Sequence, residues 1–333
     1  MAFITGANGL LGSHLALVLL QNGEDVTALK RKSSELQFML KTFEAYSKNP
    51  KDLFNKINWI DGDILDFHHL DEVIANHKEV YHTAAMVSFN PDDHQKMLQV
   101  NIEGTSQIVE SCLKHNAKLI YCSSIAALGR GKGAIATTEK DYRDSTFKSS
   151  VYSQSKFEAE QVVWRGIAEG LNAAMVNPSV IIGPGDWSKS SAQLFKTVAN
   201  SLKFYTNGSN GYVDAKDVAN IMFQLMKSDI SGERFVTSAD NLDYKTLFTY
   251  IAESLNVKPP SILANKFLSE LSWRLLKIAS LITGSKPLIT KETAQSANSH
   301  YYYSSEKVIK TLNYKFIPIK ESIDTIGKIY LNS

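Results

Sequence analysis

Cysteine is scarce in this chain, which has only Cys112 and Cys122 among its 333 residues. Two thiols in a chain of this length argue against a disulfide scaffold and against a structural zinc site. They are typical of proteins from a reducing compartment, so a cytoplasmic location is predicted. The 8 His residues do not cluster with Cys or carboxylates at metal-ligand spacings, and no metal is expected.

Long apolar runs and an excess of one charge are also missing. No stretch of about 20 apolar residues is present, so no transmembrane segment is predicted. Lys and Arg number 36 against 34 Asp and Glu, which gives no bulk attraction to nucleic acid or acidic membrane. A glycine loop follows residues 2–5 with no basic segment before it, so a signal peptide is not expected. Apolar residues make up 44% and charged residues 21%, as in ordinary globular proteins.

Short apolar segments alternate with longer amphipathic ones over the first half of the chain. Strands are predicted at 2–5, 26–29, 57–60, 80–82, 119–123 and 173–176, and helices at 10–21, 70–76, 99–115 and 152–169. Strands that alternate with helices predict an α/β fold with a doubly wound parallel Rossmann sheet. The polar stretch 33–55 is interpreted as a surface helix and loop inserted after the second strand.

The alternation loosens after about residue 180. Residues 1–180 are predicted to form a dinucleotide-binding Rossmann domain, to which about 211–240 return, and 181–333 mainly a smaller, mostly helical substrate-binding region. Helices are expected there at 194–202, 244–255 and 265–282. The last of these has a wide apolar face that includes Trp273. It is interpreted as a helix packed on its neighbours, with an interfacial helix that meets lipid or an apolar substrate as the alternative.

A glycine loop joins the first predicted strand to the first predicted helix. In TGANGLLG, Gly6, Gly9 and Gly12 stand three residues apart. Glycines in this context allow a tight turn, close approach of a pyrophosphate, and close packing of helix on strand. The following helix N-terminus offers free N–H groups to phosphate. The loop therefore predicts dinucleotide binding, although an ordinary βα turn has the same spacing.

The end of the second predicted strand bears on the choice of dinucleotide. NAD-binding chains usually have Asp or Glu at this point for the ribose hydroxyls. Here Lys30, Arg31 and Lys32 follow the strand, with no acid. A guanidinium pairs with a 2′-phosphate, whereas a carboxylate would repel it. The sequence thus favours NADP(H), keeps NAD(H) as an option, and leaves a solvated basic loop as the alternative interpretation.

Three polar residues suggest acid–base chemistry. Tyr152 and Lys156 are four residues apart in a predicted helix, so their side chains share one helix face. A nearby ammonium favours the phenolate and lowers the pKa of tyrosine, which can then exchange a proton with a substrate oxygen. Ser124 follows a predicted strand whose carboxyl end faces the ligand crevice, so it can bond the same oxygen.

With these motifs together, the chain resembles the short-chain dehydrogenase/reductase superfamily. It is most similar to the extended, epimerase-like branch, close to dihydroflavonol-4-reductase-like and 3β-hydroxysteroid-dehydrogenase-like reductases. The matching stretches are TGANGLLG, GDILD at 62–66, HTAA at 82–85, VNIEGT at 100–105, YCSSIAALG, YSQSK and NPSVIIGPGD at 177–186.

The resemblance implies a role for individual residues. The catalytic set would be Tyr152 as general acid and base, Lys156 binding the ribose and tuning the tyrosine, Ser124 polarising the carbonyl, and Asn101 holding a proton-relay water. The cofactor-binding set would be Gly6, Asn8, Gly9, Leu10, Leu11, Gly12, Arg31, Asp63, Ile64, Thr83, Ala84, Ala85, Ser123, Tyr152, Lys156, Pro178 and Val180. The substrate, a small carbonyl or alcohol compound, would lie against 87–90, 128–147 and 195–205.

Two departures from the branch narrow the function. Ile125 stands where the sugar dehydratases have an Asp-Glu pair, which counts against dehydration of a nucleotide sugar. Asn177 stands where Arg usually precedes this proline, so the anchoring there is expected to differ. An NADP(H)-dependent reductase or dehydrogenase is therefore predicted. An NAD-retaining sugar-nucleotide epimerase and a non-catalytic dinucleotide sensor remain as alternatives, and a homodimer stays open.

Overall fold

The computed structural model describes residues 1–88, 90–131, 135–143, 149–264 and 297–333. Its centre is a parallel sheet of seven strands in the order β10-β6-β5-β4-β1-β2-β3. The strands are β1 (Ala2–Thr5), β2 (Val26–Lys30), β3 (Asn58–Asp61), β4 (Glu79–His82), β5 (Lys118–Cys122), β6 (Ala173–Pro178) and β10 (Glu233–Thr237). Because the order reverses beside β1, a ligand crevice forms at the carboxyl ends of the strands. The predicted doubly wound Rossmann fold is confirmed.

Helices cover both faces of this sheet, as the continuous apolar character of the strands requires. They are α1 (Leu10–Gln21), α2 (Gln37–Tyr46), α3 (Pro50–Asn55), α4 (Phe67–Ile74), α5 (His94–Leu98), α6 (Gly104–His115), α7 (Val151–Ala168) and α9 (Ala215–Met226). One apolar cluster joins α1, α2 and α9 to the sheet, and a second joins α4, α6 and α7 to the opposite face.

The segment after β2 differs from its prediction. The stretch 33–55 forms two helices, and Met39, Thr42 and Phe43 of α2 are buried. Met39 and Phe43 belong to the same apolar cluster as α1. The predicted surface helix is present as α2, which packs one face on α1 and leaves its other residues exposed or half-buried, but the predicted loop contains the second short helix α3.

The C-terminal region adds short strands and more helices. Its elements are β7 (Val180–Ile182), α8 (Gln193–Ala199), β8 (Phe204–Tyr205), β9 (Ser209–Asp214), β11 (Asp240–Asp243), α10 (Tyr244–Ser254), β12 (Ile262–Leu263), α11 (Glu306–Leu312) and α12 (Ile319–Leu331). The strands β11, β9 and β7 form a small sheet, and β12 pairs with β8. The predicted helix at 265–282 lies outside the described residues. The division of the chain near residue 180 stays a prediction, although β10 joins the large sheet.

None of the helices in the described part of the chain has the length and apolar character that crossing a membrane requires.

Candidate active site

The end of β5 presents Ser124 at the carboxyl edge of the large sheet. Its backbone is extended, with φ −165° and ψ 153°, and it begins a short 3-10 turn at Ile125–Ala127. The Ser124 side-chain oxygen accepts the Ala126 N–H at 3.1 Å. The Ser124 carbonyl accepts a hydrogen bond from Asn177 Nδ2 at 3.0 Å. The predicted catalytic serine is thus held on both sides by neighbouring strands and the turn.

The helix α7 carries the other two predicted catalytic side chains. It begins just before Tyr152, where the Ser150 side chain accepts the Ser153 N–H at 3.1 Å and caps the helix. Arg143 then fastens this first turn, because its guanidinium donates to the Ser153 carbonyl at 2.8 Å and to the Ala126 carbonyl. The turn that bears Tyr152 is thereby tied to the turn that follows the serine. Sequence reasoning did not find Arg143.

Tyr152 interacts with both of its predicted partners, Ser124 and Lys156. Desolvation raises the pKa of Tyr152 above its ordinary value, and the charge of Lys156 and a hydrogen bond with the Ser124 side chain act in the opposite direction. Desolvation prevails, so the phenol keeps its proton at neutral pH in the absence of ligand. A protonated phenol beside a serine hydroxyl is suited to donate a proton to a substrate oxygen.

Lys156 lies one helical turn after Tyr152 and is buried, with 1% of its surface exposed. Its Nζ donates to the Tyr121 hydroxyl at 2.9 Å and to the Cys122 carbonyl at 2.8 Å. Among the described residues, no carboxylate forms an ion pair with it. Its positive charge therefore acts on Tyr152 without compensation by a carboxylate of the described residues.

Asn101 occupies a π-helical turn, Gln99–Glu103, between α5 and α6. Such turns are rare and often occur at functional sites. The Asn101 side chain accepts the Met86 N–H at 2.7 Å and donates to the Met86 carbonyl at 3.0 Å and to Ser155 Oγ at 2.9 Å. Ser155 in turn donates to the Tyr152 carbonyl at 2.8 Å. Asn101 thus positions the tyrosine helix, and its role in holding a water stays a prediction.

The glycine loop fits a pyrophosphate. Gly6 has φ +76°, and a Cβ there would lie 2.6 Å from the Ala84 nitrogen, while a Cβ on Gly12 would lie 2.1 Å from the Gly6 oxygen. Both positions therefore require glycine. No side chain caps α1, and the N–H groups of Leu10, Leu11 and Gly12 have no acceptor among the described residues. Free N–H groups at a helix N-terminus bind phosphate oxygens.

The segment that follows β4 packs against the glycine loop. Thr83 donates through its N–H and its hydroxyl to the Thr5 carbonyl, at 3.1 Å and 2.7 Å. Ala84 N–H donates to Thr5 Oγ1 at 3.4 Å. Two of the predicted ribose-lining residues, Thr83 and Ala84, therefore border the glycine loop directly, and Ala85 follows them in sequence.

The three basic residues at the end of β2 differ in their surroundings, because only the first of them forms an ion pair among the described residues. Lys30 binds Asp61, its register partner on β3. Arg31 is exposed, and a turn joins it to Ser34, whose Oγ accepts the Arg31 N–H at 3.1 Å. Lys32 is exposed as well. Because the charge of Lys30 is paired within the protein, Arg31 and Lys32 are the cations available to a phosphate in this loop.

The remaining predicted cofactor residues lie at the carboxyl ends of the strands. Asp63 is exposed and its Oδ1 accepts the Leu65 N–H at 3.1 Å, while Ile64 is 9% exposed. Pro178 ends β6, and Val180 begins β7. Residues 89, 132–134 and 144–147 of the predicted substrate border lie outside the described residues. Within the described ranges, no group of three or more His, Cys, Asp or Glu is placed to hold a metal.

A buried carboxylate beneath the site was not predicted. Glu160 of α7 is 1% exposed and accepts hydrogen bonds from Ser123 Oγ at 2.5 Å, Asn177 Nδ2 at 2.7 Å and Arg234 Nη1 at 2.6 Å. It joins α7 to β5, β6 and β10. The expectation of a different anchoring at Asn177 has a physical basis here. The guanidinium comes from the neighbouring strand β10, and the shorter amide of Asn177 bridges Glu160 to the Ser124 carbonyl.

Known proteins that are similar to this chain in sequence or structure include reductases and members of one enzyme family. Residues 2–237 match the model of the NAD dependent epimerase/dehydratase family. A putative dihydroflavonol 4-reductase from Synechocystis is 25% identical over 96% of this chain and 92% of its own length. Cinnamoyl-CoA reductase 1 of Petunia hybrida is 26% identical over 70% of this chain and 71% of its own length. The crystal structure of gox2253 superposes with a TM-score of 0.83 at 26% identity, covering 100% of this chain and 98% of that one.

Proposed function

The chain belongs to the NAD-dependent epimerase/dehydratase family, since the family model matches residues 2–237, and we propose that it is an NADP(H)-dependent oxidoreductase that interconverts a carbonyl and an alcohol on a small or medium organic substrate. The family match confirms the predicted resemblance to extended short-chain dehydrogenases/reductases and the prediction of an NAD(P)-dependent enzyme. The observation that carries the proposal is the contact between Tyr152 and the Ser124 side chain, with Lys156 beside it. The reductase names of two relatives support it.

The chain's own residues account for the proton chemistry. A nicotinamide coenzyme supplies or accepts the hydride when bound, and the glycine loop and the α1 N-terminus would hold its pyrophosphate. Ser124 would hydrogen-bond the substrate oxygen and polarise the carbonyl. Tyr152, protonated in the ligand-free protein, would donate its proton to that oxygen during reduction and take it back during oxidation. Lys156 would stabilise the phenolate left after proton donation.

The coenzyme preference depends on Arg31. We expect Arg31→Asp to lower NADPH affinity by about tenfold or more, because it removes a charged contact with the 2′-phosphate and adds repulsion. NADH affinity should hold or improve. Lys30 cannot take over without losing Asp61, so Lys32 is the remaining compensating cation. Calorimetric titration of wild type and variant with both coenzymes measures the change.

The matched control is Lys328→Asp, which changes the net charge equally at an exposed position of α12. It should leave both affinities unchanged. A wild type that prefers NADH, or an Arg31→Asp variant that keeps its preference for NADPH, would contradict the NADP assignment.

An epimerase is the second candidate, because the matching family includes epimerases by description. An epimerase of this kind keeps its coenzyme, whereas a reductase exchanges it. Absorbance of the supernatant after denaturing freshly purified protein therefore separates them. We expect no stoichiometric coenzyme to be released.

The direct test of the proposed function is coenzyme turnover. A panel of ketones, aldehydes and alcohols should show NADPH consumption or NADP⁺ reduction with at least one compound. If the coenzyme binds but does not react with any compound of the panel, the result would favour a sensor.

We also propose a cytoplasmic location, which the free thiols of Cys112 and Cys122 support. The homodimer stays a prediction.

A further inference from the structure

Tyr121 lies directly beneath Lys156. It is on β5, three residues before Ser124, and 1% of its surface is exposed. Its hydroxyl is 2.9 Å from Lys156 Nζ, and the same Nζ lies 4.6 Å from the centre of its ring. One side chain thus provides the ammonium with both a hydrogen-bond acceptor and an aromatic face, two favourable contacts for a cation.

The ring of Tyr121 is itself held in place by His82. The two rings stack with centroids 5.4 Å apart and an angle of 27°. His82 is fixed at both ends, since Thr105 donates to the Asn101 carbonyl at 2.6 Å and must accept from His82 Nε2 at 3.0 Å. His82 Nδ1 then accepts from the Thr5 hydroxyl at 2.7 Å. Neither the stacked pair nor this chain of hydrogen bonds can shift without breaking buried contacts.

Burying an ammonium costs free energy unless polar groups replace its water. A carboxylate is the usual partner, but it would cancel the charge that Lys156 exerts on Tyr152. The phenol of Tyr121 accepts a hydrogen bond while remaining neutral, because burial keeps its pKa well above the ordinary value. The Cys122 carbonyl is a second neutral acceptor.

We propose that Tyr121 is a positioning residue that holds the Lys156 ammonium, with its charge uncompensated, next to Tyr152 and the bound coenzyme. The inference rests on the proposed function of Lys156. It predicts that the Tyr121 hydroxyl affects coenzyme affinity and the ionisation of Tyr152, although it touches neither substrate nor coenzyme.

The test replaces Tyr121 with phenylalanine in the full chain. The control is Tyr81→Phe, which removes the hydroxyl of another fully buried tyrosine on the neighbouring strand β4. That hydroxyl has no hydrogen-bond partner within the described part of the chain. Binding of NADP⁺ is followed by quenching of tryptophan fluorescence from neutral to alkaline pH. The positive nicotinamide favours the Tyr152 phenolate, so affinity should rise with pH, and Tyr152→Phe should abolish that rise. No substrate is needed.

We expect Tyr121→Phe to lower NADP⁺ affinity about 3- to 10-fold. It should also move the midpoint of the pH-dependent rise upward by about half a unit, because a displaced ammonium stabilises the phenolate less. In a Lys156→Met background the same change should have no further effect, since Tyr121 acts through Lys156. Tyr81→Phe should match wild type in affinity and midpoint.

The outcomes separate the two proposals. If wild type binds neither coenzyme, the proposed function fails and this inference fails with it. If wild type binds NADP⁺ and Tyr121→Phe keeps the wild-type affinity and midpoint, only the role of Tyr121 is overturned. A loss of affinity that is equally large in the Lys156→Met background would also overturn it, because the hydroxyl would then act by general packing.

Discussion

Replacing Tyr152 with phenylalanine should abolish most turnover while leaving the fold and coenzyme binding intact. The change removes only the hydroxyl that would exchange the proton, and general acid–base catalysis contributes about 100-fold or more. The ring remains in place at the start of α7, where Ser150 caps the helix. Single-turnover hydride transfer with an accepted carbonyl substrate, at saturating NADPH, measures the chemical step without product release.

Two comparisons make this result specific. Tyr81→Phe removes a buried hydroxyl from the neighbouring region of the sheet and should keep the wild-type rate. Ser124→Ala removes the other hydroxyl near the reacting oxygen and should slow the same step. A Tyr152→Phe variant that transfers hydride at nearly the wild-type rate would refute the assignment of Tyr152.

The Rossmann part of the fold could be predicted from sequence because its signals are local. A buried strand, a glycine turn and an apolar helix follow one another within 20 positions in β1 and α1. Both elements begin and end where predicted. Residues 119–122 of β5 form a continuous apolar run, as expected for a strand that is covered on both faces. The small sheet of β7, β9 and β11 was not predicted, because β9 (SNGYVD) and β11 (DNLD) are short and largely polar and so lack the apolar pattern of a strand.

The predicted catalytic residues also depended on local spacing. Tyr152 and Lys156 are four residues apart, and any helix places them on one face. The residues that hold Tyr152 and Lys156 in place could not be predicted from the sequence. They come from distant segments, and only the folded sheet brings those segments together. Lys156 contacts Tyr121, which is 35 residues away in sequence, and Arg234 contacts Glu160 across 74 residues. A basic loop likewise gave no sign that Lys30 is paired with Asp61.

The Glu160–Arg234 pair should therefore be essential to stability. Arg234→Met leaves the carboxylate of Glu160 buried without its cation, and breaking a buried ion pair costs about 3–5 kcal/mol. The side chains of Arg234 and Glu160 are 6% and 1% exposed, so water cannot replace the lost contact. We expect a matching fall in the free energy of unfolding, measured by urea denaturation. Turnover should fall too, because Glu160 also holds Asn177 and, through it, the Ser124 carbonyl.

Two controls distinguish the buried charge from the lost side chain. Lys310→Met breaks an exposed ion pair, in which the side chains of Lys310 and Glu306 are 73% and 69% exposed, and it should change the free energy of unfolding little. Adding Glu160→Gln to Arg234→Met removes the unpaired charge but keeps a polar group for Ser123 and Asn177, so it should restore part of the lost stability. If Arg234→Met costs no more than Lys310→Met, or if the double variant is less stable than Arg234→Met alone, then Glu160 does not depend on Arg234 for its charge compensation.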